Sequence, residues 1–137
     1  MKIVRVPAVF VVCGSRDWPA LWFVTAKMIE LIPHGSMVIT GGASGVDRHA
    51  NREAIRLKYL TKVITADWDK YGKRAGPIRN NWMLDEEPDG VLAFLYQNSR
   101  GTAHMIRSAY KRGISLHVFT ERDLQPDISA LDMGDIE

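Results

Sequence analysis

One glycine-rich segment, residues 41–47 (GGASGVD), carries residue types that suit phosphate binding. It follows the apolar, β-branched residues 36–40, which predict a buried strand, and it precedes apolar residues at helical spacing. Glycines let the backbone approach a ligand, and the first N–H groups of a helix have no partner within it. The segment therefore predicts an anion site whose donors are Gly41, Gly42, Ser44 and Gly45. A tight turn without a ligand is the alternative, because the segment is neither a Walker A loop nor a full G-x-G-x-x-G motif.

Two further turns place small residues beside an arginine. Residues 14–17 (GSRD) follow the first apolar run, and residues 97–102 (QNSRGT) follow the fourth. Both turns can offer backbone N–H groups to an anion, and arginine can chelate a phosphate with two hydrogen bonds. The alternative for each arginine is a solvated surface charge. The candidate ligand-binding residues of these two turns are Gly14, Ser15, Arg16, Arg100, Gly101 and Thr102.

Other side chains could recognise the rest of a phosphorylated ligand. Arg79, near the start of a predicted helix, could hold a phosphate. Asp47 could accept a ribose hydroxyl or merely cap its helix. Trp68 and Tyr71 could stack on a base or pack the loop that carries them. Cys13, the only cysteine, ends an apolar run and is interpreted as a small buried hydrophobe.

Five apolar segments alternate with four helical patterns and must position these residues. The predicted strands are residues 8–13, 36–40, 62–65, 90–95 and 114–119. The predicted helices are 19–31, with Pro19 in the opening turn, 46–57, 78–84 and 103–112. The alternation predicts an α/β fold, a single Rossmann-like, doubly wound, mostly parallel five-stranded sheet with helices on both faces. Right-handed crossovers, with a reversal after the third strand, give the order 3-2-1-4-5. The three turns then converge over the carboxyl ends of the strands, where ligands bind in such sheets.

The chain is predicted to form one domain over residues 1–122 and an acidic, loosely ordered tail over residues 123–137. The tail has five acidic residues, no lysine or arginine, and weak periodicity, so we expect it to be dispensable for folding. Residues 66–77 alternate aromatic, basic and glycine residues. They are predicted to be a long connection, and such connections often carry function.

Charge is distributed unevenly along the chain. All 18 lysines and arginines precede the tail, so residues 1–122 carry a formal charge of +7, whereas the whole chain carries +2. A basic body suits a phosphorylated ligand, and it also suits nucleic acid. A basic solvated surface with an acidic tail is the alternative.

Composition narrows the class of protein. With 46% hydrophobic and 25% charged residues, the chain is typical of a soluble globular protein. Its apolar runs are too short to span a membrane, so no membrane partner is predicted. The single cysteine and the lack of a signal-peptide pattern predict a reducing, cytoplasmic compartment. His49 and His104 do not have metal-ligand spacing, so neither a metal nor a cofactor is predicted.

Four segments, in this order, resemble the YspA-like branch of the SLOG superfamily, also described as DUF2493, of bacteria and phages. They are residues 14–18 (GSRDW), 41–47 (GGASGVD), 68–80 (WDKYGKRAGPIRN) and 100–102 (RGT), and the resemblance covers residues 9–118. It implies a Rossmann-like fold that binds a nucleotide or a nucleotide-derived ligand. The superfamily also contains the LOG cytokinin-activating phosphoribohydrolases, the DNA-processing protein DprA, and sensor domains of anti-phage systems.

One departure from the LOG enzymes bears on catalysis. Those enzymes carry Pro-Gly-Gly-x-Gly-Thr-x-x-Glu after the fourth strand. Here Gly101 and Thr102 match the Gly-Thr pair, but Met105 occupies the position of the catalytic glutamate. Arg79 lies where the LOG enzymes keep a catalytic arginine. Because a thioether neither stabilises an oxocarbenium-like state nor activates water, we expect binding without appreciable hydrolysis.

The leading hypothesis is a binding or sensor protein for a nucleotide or nucleotide-derived phosphorylated ligand. One alternative is a phosphoribohydrolase-type N-glycosidic hydrolase in which Arg79 is catalytic. The other is a DprA-like nucleic-acid-binding module. The resemblance to LOG proteins also implies a homodimer.

Overall fold

A computed structural model describes residues 7–125 of the chain. Its strands are β1 (Val9–Gly14), β2 (Met37–Thr40), β3 (Leu60–Val63), β4 (Gly90–Phe94) and β5 (Leu116–Phe119). They form one sheet in the order β3-β2-β1-β4-β5, and every pair is parallel. The predicted strand order is therefore confirmed. The chain reverses its direction of winding between β1 and β4, which are neighbours.

Helices cover both faces of this sheet, as predicted. They are α1 (Leu21–Leu31), α2 (Val46–Arg56), α3 (Trp68–Tyr71), α4 (Ala75–Asp85) and α5 (Arg100–Lys111), with 3-10 turns at Gly72–Arg74 and Glu121–Leu124. Side chains of α1 and α2 pack on one face, and side chains of α4 and α5 pack on the other. The fold is an α/β, Rossmann-like, doubly wound sheet.

The central strands are apolar throughout because both of their faces are covered. In β1, Val12 packs in the α1–α2 layer with Leu92 of β4, while Val11 packs in the α4–α5 layer with Ile39 of β2. These residues are fully buried. Alternation of side chains along each strand thus divides one apolar run between two cores.

The edge strand β3 begins two residues before the predicted strand. The buried Tyr59 donates its hydroxyl to the carbonyl oxygen of Ile32 at 2.8 Å, and Leu60 N–H donates to Ser36. These bonds bring Leu60 alongside Met37. All four residues of β3 are exposed, and β3 has a neighbouring strand on one side only.

Two helices also begin earlier than predicted. The predicted connection at residues 66–77 forms α3, a 3-10 turn and the start of α4. Asp67 begins α3 by accepting Lys70 N–H at 3.1 Å, and Pro77 lies in the first turn of α4, where its missing N–H costs no helical bond. Because α5 begins at Arg100, Gly101 belongs to a helix and not to the preceding turn.

The first residues of the predicted tail are part of the folded body. Asp123 and Thr120 form a reciprocal capping box at the last 3-10 turn. Leu124 packs against the α1–α2 layer. The rest of the tail, from residue 126, lies outside the described residues. Within residues 7–125 the longest helix has 12 residues, so none of these helices could span a bilayer.

Candidate functional site

The three glycine-containing turns meet at the carboxyl ends of the strands and form a cleft of about 1070 Å³. This is the position predicted from the switch point between β1 and β4. The volume is sufficient for a nucleotide-sized ligand. Nine of the twelve predicted ligand-binding residues line the cleft, namely Gly14, Ser15, Arg16, Ser44, Asp47, Arg79, Arg100, Gly101 and Thr102.

The other three, Gly41, Gly42 and Gly45, lie outside the lining. Gly45 has a φ of 78°, and a Cβ there would lie 2.7 Å from the Cα of Arg16. At Gly41 a Cβ would lie 2.5 Å from Nη1 of Arg79. Glycine is therefore required at Gly45, where a Cβ would meet backbone atoms, whereas at Gly41 a Cβ would displace the end of the Arg79 side chain. Contact of these three glycines with a ligand stays a prediction.

Ser15 joins the turn after β1 to the turn after β4. Its N–H donates to the carbonyl oxygen of Phe94 at 2.9 Å. Its hydroxyl donates to the carbonyl oxygen of Tyr96 at 3.1 Å and accepts from Tyr96 N–H at 2.8 Å. Because these bonds engage the buried hydroxyl as both donor and acceptor, Ser15 fixes the shape of the cleft wall.

A chain of hydrogen bonds runs beneath the cleft from the glycine-rich turn to α5. Arg79 donates from Nη1 to the carbonyl oxygen of Gly41 at 2.5 Å and from Nε to Oδ1 of Asn80 at 3.2 Å. Asn80 then donates from Nδ2 to the carbonyl oxygen of Gly101 at 3.1 Å. The same Nδ2 lies 3.1 Å from Nδ1 of His104. Burial lowers the pKa of His104, and Arg107 and Lys111 add to this effect, which favours a neutral ring that can accept.

Asp47 contributes a buried carboxylate to the same region. Its Oδ2 accepts Ala43 N–H at 3.2 Å, so the side chain stabilises the turn at the start of α2. Burial raises the pKa of Asp47 to about 6, although Arg79 and neighbouring backbone N–H groups oppose the rise. Ala43 precedes α2, so this bond holds the turn and is not the predicted helix cap, which α2 lacks. The ribose role stays a prediction.

The thiol of Cys13 also borders the cleft. The side chain is buried in the α4–α5 layer, as the sequence predicts for a small hydrophobe. Burial strongly raises its pKa, and the Asp47 carboxylate adds to the rise. The thiol is therefore protonated at neutral pH and is a poor nucleophile.

Two arginines at the cleft are exposed and available. Neither the Arg16 side chain nor the Arg100 side chain makes a hydrogen bond or an ion pair with another residue in the described part of the chain. Arg100 opens α5, and the hydroxyl of the preceding Ser99 donates to the hydroxyl of Thr102 at 2.9 Å without capping the helix. The N–H groups of the first turn of α5 are thus left for a ligand or solvent.

The two aromatic residues suggested for base stacking differ in position. Trp68 lines the cleft and is 59% exposed. Tyr71 lies outside the lining, and its ring packs against Trp82 at a centroid distance of 6.0 Å. Trp68 is therefore the aromatic face that a base in the cleft could reach.

The residue at the position of the LOG glutamate does not reach the cleft. Met105 is fully buried and packs in the α4–α5 layer. The carboxylates of the lining are Asp17 and Asp47. Between residues 7 and 125, no group of three or more His, Cys, Asp or Glu residues could hold a metal ion.

Sequence reasoning missed Asn80 and Tyr96 as site residues, although both line the cleft. The partners of Asn80 on α5 are 21 and 24 residues away in the chain, and the Ser15 partner of Tyr96 is 81 residues away. A local pattern carries no information about contacts of this separation. Asn80 had two signals in the sequence, since it neighbours the candidate Arg79 and ends the segment 68–80 that carries the family resemblance.

Comparisons with known proteins support the fold and identify a relative. The gene 61 protein of Mycobacterium phage D29 is 35% identical to this chain over an alignment of 119 residues. The alignment covers 81% of this chain and 95% of that protein. No family model matches the chain.

A solved structure is similar in fold. The X-ray structure of DNA processing protein A (DprA) from Streptococcus pneumoniae aligns with 86% of this chain, with a TM-score of 0.50 and 17% identity. The alignment spans 60% of that structure's chain. A likeness at this level of identity supports the Rossmann-like fold.

Proposed function

This chain belongs to the same protein family as the gene 61 protein of Mycobacterium phage D29, and from the geometry of its cleft we propose that it binds a phosphorylated, nucleotide-derived ligand. One observation carries the proposal. Two arginines without partners among the described residues, Arg16 and Arg100, border a cleft that also receives the N-terminus of α5. Such a helix end and such arginines favour a phosphate over a neutral ligand.

The proposed arrangement places the phosphate at the first turn of α5. Backbone N–H groups of Gly101 and Thr102 bind it there, and Arg16 and Arg100 neutralise its charge. Trp68 at the rim offers a face on which a base can stack. The hydrogen-bonded Arg79 and Asn80 hold the glycine-rich turn and α5 in place around the ligand.

We propose that the ligand is bound without hydrolysis. The Met105 side chain lies in the core, so even a glutamate that replaced it would start from a buried position and not from the cleft. Arg79, the candidate catalytic residue, already donates to Gly41 and Asn80. Membership of the YspA-like SLOG branch and a homodimeric state, both implied by the resemblance, are proposals of the same kind; sedimentation of the purified chain tests the second.

Calorimetric titration with adenosine monophosphate tests the cleft. We expect saturable binding, and we expect the double variant Arg16→Gln with Arg100→Gln to weaken it at least about tenfold, because each charge-assisted bond contributes about 1.5–3 kcal/mol. The matched control is Arg52→Gln with Lys58→Gln, which removes two exposed charges from α2 and from the loop before β3. Equal affinities in the two double variants would place the site elsewhere. Chromatography of the same samples should show intact nucleotide, and accumulating free base would support the hydrolase.

Nucleic-acid binding is the second candidate function. It is favoured by the likeness in fold to DprA, a DNA processing protein, and by the +7 charge of residues 1–122. It differs from the first candidate in salt dependence, since a bound polynucleotide releases counterions in proportion to the number of phosphates contacted. Affinity that rises with strand length and falls steeply with salt favours this candidate.

A further inference from the structure

The outer face of α5 is a stripe of unpaired positive charge. Arg100, Arg107 and Lys111 are exposed, and the twelve residues of α5 include no acidic side chain. Spacings of seven and four residues place the three charges on one side of the helix. Among the described residues, none of the three side chains forms a hydrogen bond or an ion pair, and Asp85 pairs instead with Arg112.

An exposed aromatic side chain accompanies the stripe. Tyr110 lies three residues after Arg107 and is 78% exposed, the highest value among the large exposed hydrophobic side chains of residues 7–125. Residues three apart on a helix are neighbours on its surface. A solvent-facing ring beside a cation is an arrangement that binds an unstacked base next to its phosphate.

A second cavity connects the stripe to the cleft. It has a volume of about 440 Å³, and it shares with the cleft Gln97, Asn98, Ser99 and Arg100. Its remaining lining residues are Leu95, Ala103 and Arg107. None of the residues that line this cavity is acidic. A polyanion can therefore pass from the cleft to α5 without meeting a carboxylate along this lining.

We propose that the outer face of α5 is a track for the backbone of a single-stranded nucleic acid that extends out of the cleft. Arg100, Arg107 and Lys111 contact successive phosphates along about 16 Å of helix, and Tyr110 stacks on a base. The single strand is favoured because its bases are free to stack on a side chain, whereas those of a duplex are not. The inference rests on the second candidate function and gives it a surface outside the cleft.

Fluorescence anisotropy of a labelled twelve-nucleotide oligothymidylate, with the full chain, tests the track. We expect the double variant Arg107→Gln with Lys111→Gln to weaken binding. We also expect the slope of log affinity against log salt to become shallower by about 1.4, since each phosphate contact on a single strand contributes about 0.7. The pair Arg52→Gln with Lys58→Gln removes one arginine and one lysine elsewhere and should leave the slope unchanged. Tyr110→Ala should weaken binding about fivefold or more, and Tyr110→Phe should not.

Several results would overturn the track. The first is that the Arg107→Gln, Lys111→Gln variant has the wild-type salt slope, and the second is that the control variant loses as much affinity as this variant. The third is that the matching duplex binds more tightly than the single strand. The fourth is that polyglutamate competes fully with the oligonucleotide. The cleft is assessed separately, because the α5 pair should keep the wild-type affinity for adenosine monophosphate. Loss of oligonucleotide binding in the Arg16 and Arg100 variant alone, with the α5 pair unaffected, would confine the ligand to the cleft and reject the track.

Discussion

Asp47 shows how one buried carboxylate affects both the stability and the charge of the cleft. It is 4% exposed, and its neighbours Ala43 and Arg79 favour the ionised form without fully offsetting the cost of burial. At neutral pH the charged residues of the lining carry a formal charge of +1, from three arginines and two aspartates. Protonation of Asp47 raises this charge, so an anion that keeps a constant charge, such as sulfate, should bind more tightly as the pH falls through about 6.

The same residue gives a prediction about stability. The pKa of Asp47 is raised on folding, so the folded state favours the neutral carboxyl, and this contribution is lost as the pH rises from about 4 to about 6. Asp47→Asn keeps an acceptor for Ala43 N–H but cannot ionise. We therefore expect it to increase the free energy of unfolding at pH 8 by up to about 3 kcal/mol relative to its effect at pH 4.

Urea unfolding of both proteins at the two pH values measures this difference. Asp69→Asn, which removes the same charge from an exposed position in α3, is the control and should have a smaller effect. If Asp47→Asn and the wild type have parallel pH profiles, the ionisation of Asp47 does not oppose folding.

At the scale of elements, the start of α2 is determined by the contact between two turns. Gly45 begins this helix with a positive φ, and its Cα faces the backbone of Arg16 in the turn after β1. The helix lacks a side-chain cap at this position. The close approach of the two turns brings Arg16 and Asp47 to the same cleft, so the steric need for glycine is linked to the geometry of the site.

Replacement of Gly45 should lower the free energy of unfolding by more than its positive φ alone would explain. Gly45→Ala must adopt a left-handed conformation and displace the backbone of Arg16, so we expect a loss of about 3 kcal/mol or more in the free energy of unfolding. Gly113, after α5, also has a positive φ, of 71°, but a Cβ there meets no atom within 4 Å. Gly113→Ala should therefore cost only about 1 kcal/mol. Denaturant titration compares the two variants, and equal losses would show that packing against Arg16 is unimportant.

At the scale of the whole molecule, the two helical layers enclose the sheet. The segment that follows β5 adds to the α1–α2 layer. Leu124 packs on the α1–α2 layer, and the Asp123 carboxylate accepts Thr120 N–H at 2.7 Å. The remaining tail adds the acids Asp127, Asp132, Asp135 and Glu137. Asp123 and Leu124, which belong to the predicted tail, therefore make contacts within the folded body.

Two truncations separate these contributions. A chain that ends after Gln125 should melt within a few degrees of the full chain, because it keeps both the capping box and Leu124. A chain that ends after Glu121 loses both, at a cost of about 2 kcal/mol and roughly 5 °C in melting temperature. Calorimetry of the three chains provides the measurement. A large loss in the longer truncated chain would mean that residues 126–137 stabilise the fold.

The sequence alone determined the class of fold, the order of the strands and the position of the cleft. Apolar runs and helical spacing are local patterns, and right-handed crossovers convert their order into a sheet order. The edge strand β3 was predicted two residues late, because Tyr59 fixes its start through a bond to the distant Ile32 that periodicity does not report. The starts of α4 and α5 were each predicted three residues late, at 78 and 103 in place of 75 and 100.

Only the tertiary structure decided which residues of the motifs face the cleft. Gly41 and Gly45 belong to the same motif as Ser44, yet they pack against Arg79 and Arg16 while Ser44 lines the cleft. Asn80 is held at the cleft by its hydrogen bond to Gly101 of α5. Met105, at the position of the LOG glutamate, packs in the core and does not line the cleft. The physical reason is common to all of these cases. The direction of a side chain depends on which distant backbone lies beside it, and such contacts exist only once the sheet and both helical layers are assembled.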